Sequence, residues 1–244
     1  MAFWKKKNTE LPDLSWLGTD MHSHLLPGID DGSPDIETSL ELIKGMKELG
    51  FKKLITTPHI MWDMYKNTRN TILEKSEQVR TKLKEEQVDI DIQAAAEYFI
   101  DDHLEELLKQ KEPLLTFGNE MVLVEFSMAS PPFDLKKVLF EMQIQGYQPV
   151  IAHPERYIYL KQNKSFYNEL KDAGYLFQLN ILSLTGYYGN SVMELARYLA
   201  KRQYYDLIGT DLHHFRHLDA LKHPSISLAL QRLLESGKIL NRAL

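Results

Sequence analysis

The feature that most constrains the fold of this chain is an alternation of short, β-rich apolar runs with amphipathic stretches. Residues 18–22, 53–57, 90–95, 121–126, 148–152, 175–179 and 206–210 read as strands. Most are rich in Val, Ile and Leu and lack polar alternation, as expected of strands covered on both faces. Helical patterns separate them. Ser33 reads as an N-cap with Pro34 at the first helical position, Asp35 and Glu37 favour the first turn, and Ile36, Leu40, Ile43 and Met46 follow at helical spacing before Gly50. Asp134 opens another helix, with Leu135, Val138, Leu139 and Met142 on one face and Gly146 past its end. Residues 68–88, 101–110, 164–173, 190–202 and 225–236 read as the remaining helices. Such alternation predicts parallel strands in an α/β fold. About seven units in a chain of 244 residues favour a closed or nearly closed barrel in a single domain. Residues 17–244 are the expected domain, with residues 1–16 as a tail.

Composition narrows the class. Net charge is −5, and Lys5-Lys6-Lys7 is the basic run, which argues against nucleic acid as the main partner. Phe3-Trp4 with those lysines could touch an anionic membrane surface, though a frayed tail is the simpler reading. No apolar run is long enough to span a bilayer, and the start lacks the apolar stretch of a signal peptide, so a cytoplasmic location is expected. With no cysteine there is no disulfide, no thiolate metal site and no cysteine nucleophile.

The ends of the strand-like runs carry the chemistry. His22 and His24 follow the first run, and alternate residues of a strand share a face. Two imidazoles aimed at one point suit a shared metal better than two charges. His59 follows the second run, Glu97 the third, Glu125 closes the fourth, His153 the fifth, and Asp211 with His213 the last. In a βα barrel those ends converge on one mouth. Each residue taken alone has a structural reading: a turn for His59, an ion pair for Glu125, a helix cap for Asp211. Their recurrence at successive strand ends argues for a metal cluster. Zinc alone takes about four ligands, so this donor set suggests roughly two or three ions, with Glu97 or Asp211 bridging. Mn²⁺, Fe and Zn²⁺ all suit nitrogen and oxygen donors. Clustered divalent ions acidify a shared water and clamp the oxygens of an in-line displacement, which is phosphoester chemistry.

Arg156, in His153-Pro154-Glu155-Arg156, can hold a phosphate by two parallel hydrogen bonds or form a salt bridge to Glu155 or another acid. Asp30-Asp31-Gly32 reads as a turn, in which one aspartate could orient a water or donate a proton. Tyr157, Tyr159, Tyr187 and Tyr188 are candidates for an aromatic pocket or for ordinary packing.

Asp20-Met21-His22-Ser23-His24, Asp30-Asp31-Gly32, Thr57-Pro58-His59, Ala96-Glu97, Val124-Glu125-Phe126-Ser127, Ile151-Ala152-His153-Pro154-Glu155-Arg156 and Thr210-Asp211-Leu212-His213 resemble, in order, the PHP (polymerase and histidinol phosphatase) superfamily. More closely, the chain is similar to the bacterial CpsB/YwqE-type tyrosine-phosphatase branch. The resemblance implies a distorted (β/α)7-type barrel, a trinuclear metal centre usually containing manganese, and dephosphorylation of a bacterial tyrosine kinase of capsular or exopolysaccharide synthesis. Carried over by position, the metal ligands are His22, His24, His59, Glu97, Glu125, His153, Asp211 and His213, with Arg156 and Asp31 as substrate-site residues. Two other functions remain open on the motifs: a small-metabolite phosphatase such as histidinol phosphatase, and a regulatory module that binds a phosphorylated partner without turnover.

Overall fold

The computed structural model describes residues 11–234 and 238–244. The Lys5–Lys7 run therefore lies outside the described residues. The expected tail is represented by residues 11–16, which pack against the domain: Leu14 is fully buried, and its N–H donates to the Leu49 carbonyl at 2.8 Å.

Strands and helices alternate from the start: β1 (Thr19–Asp20), α1 (Ile36–Glu48), β2 (Lys53–Thr56), β3 (His59–Ile60), α2 (Arg69–Glu85), β4 (Asp91–Ala94), β5 (Glu97–Phe99), α3 (Asp102–Gln110), β6 (Met121–Glu125), α4 (Leu135–Ile144), β7 (Gln148–Ala152), α5 (Ser165–Asp172), β8 (Leu176–Asn180), α6 (Asn190–Lys201), β9 (Leu207–Gly209), α7 (Phe215–Leu221) and α8 (Ser225–Leu234). Strand pairings among the described residues are parallel, in the orders β1-β2-β4 and β3-β5-β6-β7-β8-β9. The two sheets are one strand path interrupted twice. Thr57-Pro58 separates β2 from β3, and Ala95-Ala96 separates β4 from β5. A proline lacks the N–H a ladder needs. The first and last strands meet through a parallel bridge between Ser23 and Leu212, and the His24 N–H donates to the Leu212 carbonyl at 2.8 Å. Lower down, Asn241 replaces the missing ladder: its side chain donates to the Thr19 and Ile208 carbonyls and accepts from the Ile208 N–H.

Two details depart from the sequence reading. The cap of α1 is Asp35, whose carboxylate accepts from the Thr38 N–H at 2.8 Å, so the helix starts after Ser33 and Pro34. Ser33 is instead drawn into the turn that follows β1, where its N–H donates to the His24 carbonyl. The short helix α7 was not anticipated.

Alternation along the strands sorts side chains into two cores. Leu54, Val122, Val124, Ile151, Phe177 and Ile208 join the large core under the helices. Ile55, Ala95, Leu123, Val150, Ala152 and Leu207 point the other way and form a second apolar cluster with Met21, Phe117 and Met121. This inner cluster is the floor beneath the site. Period-two alternation then carries Glu97, two residues past Ala95, and Glu125, two past Leu123, to the same interior one step higher.

Candidate metal centre

The predicted ligands converge. The oxygens of Glu97 lie 3.3 Å from His22 Nε2, 3.2 Å from His59 Nδ1 and 3.2 Å from His153 Nε2. Asp211 Oδ1 lies 3.3 Å from His22 Nε2, 3.5 Å from His24 Nε2 and 3.4 Å from His213 Nδ1. Glu125 reaches within 3.7 Å of His59 Nδ1. Four overlapping groups have spacing suited to a cation: His22-His24-Asp211, His22-Glu97-His153, His59-Glu97-Glu125 and His24-Asp31-His59-His213.

The local backbone is bent to achieve this. After Val150 and Ala152 point inward, alternation would turn His153 outward; a left-handed φ of 31° at His153 redirects it. Asp211 likewise sits at φ 53°. A non-glycine residue in that region costs on the order of 1 kcal/mol, and such strain collects at functional sites.

Supporting residues fix which ring nitrogens are free. Gln178 donates to the Leu179 carbonyl and accepts the His153 N–H, so its Oε1 faces His22 Nδ1 at 3.0 Å and takes that proton. Asp30 Oδ2 accepts from His24 Nδ1 at 2.8 Å, and the Asp211 carbonyl accepts from His213 Nδ1 at 2.8 Å. His22 Nε2 and His24 Nε2 are thereby left facing each other at 3.3 Å. Two bare lone pairs at that distance repel, and two protons would repel as well; a shared cation resolves both. Both Glu97 oxygens are buried without a hydrogen-bond donor, as are His59 Nδ1 and His153 Nδ1. Buried polar atoms of this kind call for a partner, and Glu97 is fully buried. A divalent cation would give Glu97 and His59 Nδ1 that partner, and the residues present fit one.

Burial and charge oppose each other across the cluster, and the surrounding carboxylates push His22 and His24 up despite their burial. Burial pushes the Glu97 carboxyl up, but the His22 and His59 imidazoles outweigh it and hold it well below the usual range. Burial also raises Asp211, and His22 and His213 more than reverse the effect. Glu125 is driven well above its ordinary value by burial and by the nearby Glu97 charge, so the carboxylate pair is uncomfortable without a counter-cation. Burial, then Arg156, lowers His153 to about 4, keeping its imidazole neutral as a ligand requires.

Arg156 makes its salt bridge to Asp211, at 2.9 Å, and not to Glu155. Glu155 turns inward to accept from the Asn180 N–H and the Tyr205 hydroxyl. The Arg156 guanidinium lies 4.8 Å from the centre of the Tyr188 ring and lines the cleft above the ligands. Of the four tyrosines, Tyr157 is fully buried packing, whereas Tyr188 and Tyr187 stand at the mouth beside His217. Asp31 is half-exposed, with Oδ1 3.5 Å from both His59 Nε2 and His213 Nε2. Burial raises its carboxyl, but the hydrogen bond and charge of His213 hold it at about 2. Asp31 thus stands ionised at neutral pH, grouped with His24, His59 and His213.

Gln178 and Asn180 escaped the sequence reading of the site, and Asp30, placed there in a turn, turns out to hold His24. Asn180 Nδ2 donates to Asp211 Oδ2 at 2.9 Å, beside Arg156, leaving Oδ1 to the histidines. The available signal was alternation in Phe177-Gln178-Leu179-Asn180, which sends both amides inward from β8. The cleft over these residues has a volume of about 360 Å³. A larger hollow of about 620 Å³ lies between α6 and α8, but among the described residues no carboxylate or imidazole lines it.

Residues 18–235 match the family described as capsular polysaccharide synthesis, CpsB/CapC. The chain is 32% identical over 200 residues to the tyrosine-protein phosphatase CpsB of Streptococcus pneumoniae, covering 80% of this chain and 82% of that one. It is 28% identical over 197 residues to the tyrosine-protein phosphatase YwqE of Bacillus subtilis, covering 81% and 78%. The crystal structures of YwqE and CpsB, described as metal-dependent tyrosine phosphatases, superpose with a TM-score of 0.78 at 26% identity, covering 89% of this chain and 86% of that one. A histidinol phosphate phosphatase from Lactococcus lactis shares the fold alone, with a TM-score of 0.55 at 14% identity over 94% of each chain. The parallel α/β architecture, the converging imidazoles and carboxylates, and the match over nearly the whole length give one conclusion: the chain belongs to the CpsB/CapC family of capsular polysaccharide synthesis.

Proposed function

We propose that this chain is a metal-dependent protein-tyrosine phosphatase acting in the cytoplasm on a bacterial tyrosine kinase of capsular or exopolysaccharide synthesis. The observation that carries the reading is the donorless Glu97 carboxylate ringed by imidazole nitrogens in the cleft that Arg156 also lines. Similarity to named tyrosine phosphatases supports the substrate class.

His22, His24, His59, Glu97, Glu125, His153, Asp211 and His213 are assigned as ligands of two or three ions, with Asp31 joining His24, His59 and His213. Manganese suits this sulfur-free donor set. When bound, such ions supply an acidified water and neutralise charge on phosphoryl oxygens. The chain's own residues do the rest. Gln178 and Asp30 fix the His22 and His24 tautomers so that Nε2 points inward. Asn180 and Arg156 hold one Asp211 oxygen and leave the other to the centre. Arg156, braced by Asp211 below and Tyr188 alongside, presents its remaining N–H groups to the phosphoryl oxygens, whose charge must be held in the transition state. With Asp31 ionised, the departing phenolate takes its proton from solvent, which its pKa of about 10 permits. An alkyl alkoxide has no such latitude.

Chelation should abolish hydrolysis of a phosphotyrosine peptide, and Mn²⁺ should restore it. Full activity in a verified metal-free preparation would sink the reading. A higher kcat/KM on histidinol phosphate than on the peptide would move the assignment to a metabolite phosphatase.

A further inference from the structure

The rim of the cleft differs in chemistry from its floor. Glu97, Glu125 and Asp211 make the floor ionic, yet three methionines, Met61, Met64 and Met128, line the same cleft, and the last two are the more exposed. Met64 is 67% exposed and Met128 is 36% exposed. Neither can contribute much to the core at that exposure. Both are presented by braced loops. Met64 sits in a tight turn closed by the Tyr65 N–H to the Met61 carbonyl at 2.7 Å and the Met64 N–H to the same carbonyl at 3.0 Å. The Tyr65 ring stacks on the His59 ring, 5.5 Å between centres and 13° between planes, which ties that turn to a ligand. Met128 follows Ser127, whose carbonyl accepts from the Tyr159 hydroxyl at 3.1 Å and whose Oγ accepts from the Ala129 N–H.

We propose that Met64 and Met128 are specificity-determining residues that grip the aromatic ring of the phosphate ester. The proposal rests on the phosphatase reading above and deepens it. With the phosphoryl group on the floor, the carbon skeleton just beyond the ester oxygen meets the two thioethers. Thioether sulfur makes favourable contacts with aromatic rings and adapts its shape to them. It offers no donor and only a weak acceptor to the hydroxyls of a sugar phosphate or the ammonium of an amino-alcohol phosphate. The two methionines come from different strand-end loops, one after β3 and one after β6, so the pair belongs to the assembled mouth and to neither loop alone. Selection for aryl esters then has two sources: phenolate leaves easily, and the rim binds the ring.

Phosphonates separate the two, because their carbon–phosphorus bond has no leaving group. The experiment is competitive inhibition of the manganese-loaded full chain by phenylphosphonate and by methylphosphonate, with metal content measured alongside. The wild-type protein should bind phenylphosphonate the more tightly. Replacing both residues, Met64→Ser with Met128→Ser, should shrink that preference roughly tenfold while the methylphosphonate inhibition constant stays within about twofold. The pair Met64→Leu with Met128→Leu, which keeps apolar area at both positions, should retain most of the preference. An unchanged ratio in the serine double variant overturns the proposal, as does a wild-type protein indifferent to the ring. If the loaded wild-type protein turns over no phosphate monoester at all, the phosphatase reading itself falls, and this proposal with it.

Discussion

Glu97 and Arg156 set the two poles of the site. Glu97 lies where three imidazoles meet, buried and without a donor, so its charge has value only when cations share it. Glu97→Gln should therefore lose bound metal and activity together, as read by metal analysis on the purified protein. Metal retained at the wild-type level would remove Glu97 from the ligand set. Arg156 is one step further out. Lysine keeps the charge but cannot reproduce the planar clamp, so Arg156→Lys should lower kcat/KM on a phosphotyrosine peptide by roughly ten- to a thousandfold. Metal content should hold, because Asn180 still donates to Asp211 Oδ2. A kinetically silent variant, or one whose lost activity only tracks lost metal, contradicts the role given to Arg156.

At the level of elements, the site depends on how closely β9 and the turn after β1 approach their neighbours. A Cβ at Gly209 would lie 2.6 Å from the His22 Cβ and 2.8 Å from Gln178 Nε2, and one at Gly32 would fall onto the His24 carbonyl oxygen. Glycine is needed here for space and not for an unusual φ. Gly209→Ala should displace both His22 and the amide that holds it, and disturbing such an outer partner typically costs about ten- to a hundredfold in metal affinity. Equilibrium dialysis against Mn²⁺ checks this; wild-type affinity in a folded Gly209→Ala protein would mean that the close packing of β9 is not what aims His22. The sheet is interrupted at Thr57-Pro58 and Ala95-Ala96, just before His59 and Glu97.

Across the whole molecule, Glu155 ties distant segments together. It is fully buried, accepting from Asn180 at the end of β8 and from Tyr205 before β9. Burial raises its carboxyl from an ordinary 4.5 to about 7, and hydrogen bonds from Asn180 and Tyr205 offset this only in part. Between those two pH values the unfolded chain has lost the proton and the folded chain keeps it. The group's contribution is thus complete below about pH 4.5 and is lost as pH rises through about 7, a change on the order of 3 kcal/mol. Glu155→Gln should flatten that part of the pH dependence, as read by urea unfolding midpoints at pH 5 and pH 8 for both proteins. Parallel slopes in the two proteins would show that Glu155 stays ionised in the fold.

Much of this was determined by sequence alone, because it is local. Strand and helix periods alternate visibly, and the ends of parallel strands must share a mouth, so His22, Glu97, Glu125 and Asp211 could be gathered before any coordinates. The cap at Asp35 was misplaced by two residues because Ser33 and Asp35 are both good caps, and only the structure shows that the Thr38 N–H goes to the Asp35 carboxylate while Ser33 stays in the turn beside His24. Gln178 and Asn180 sit in an apolar strand, and nothing local says what they hold; their partners, His22 and Asp211, come from β1 and β9. The reach of Arg156 to Asp211, the left-handed turn that swings His153 inward, and the pairing of Met64 with Met128 are relations between segments far apart in the chain. Residue periodicity decides which face a side chain takes. Only the packing of the strands decides what it meets there.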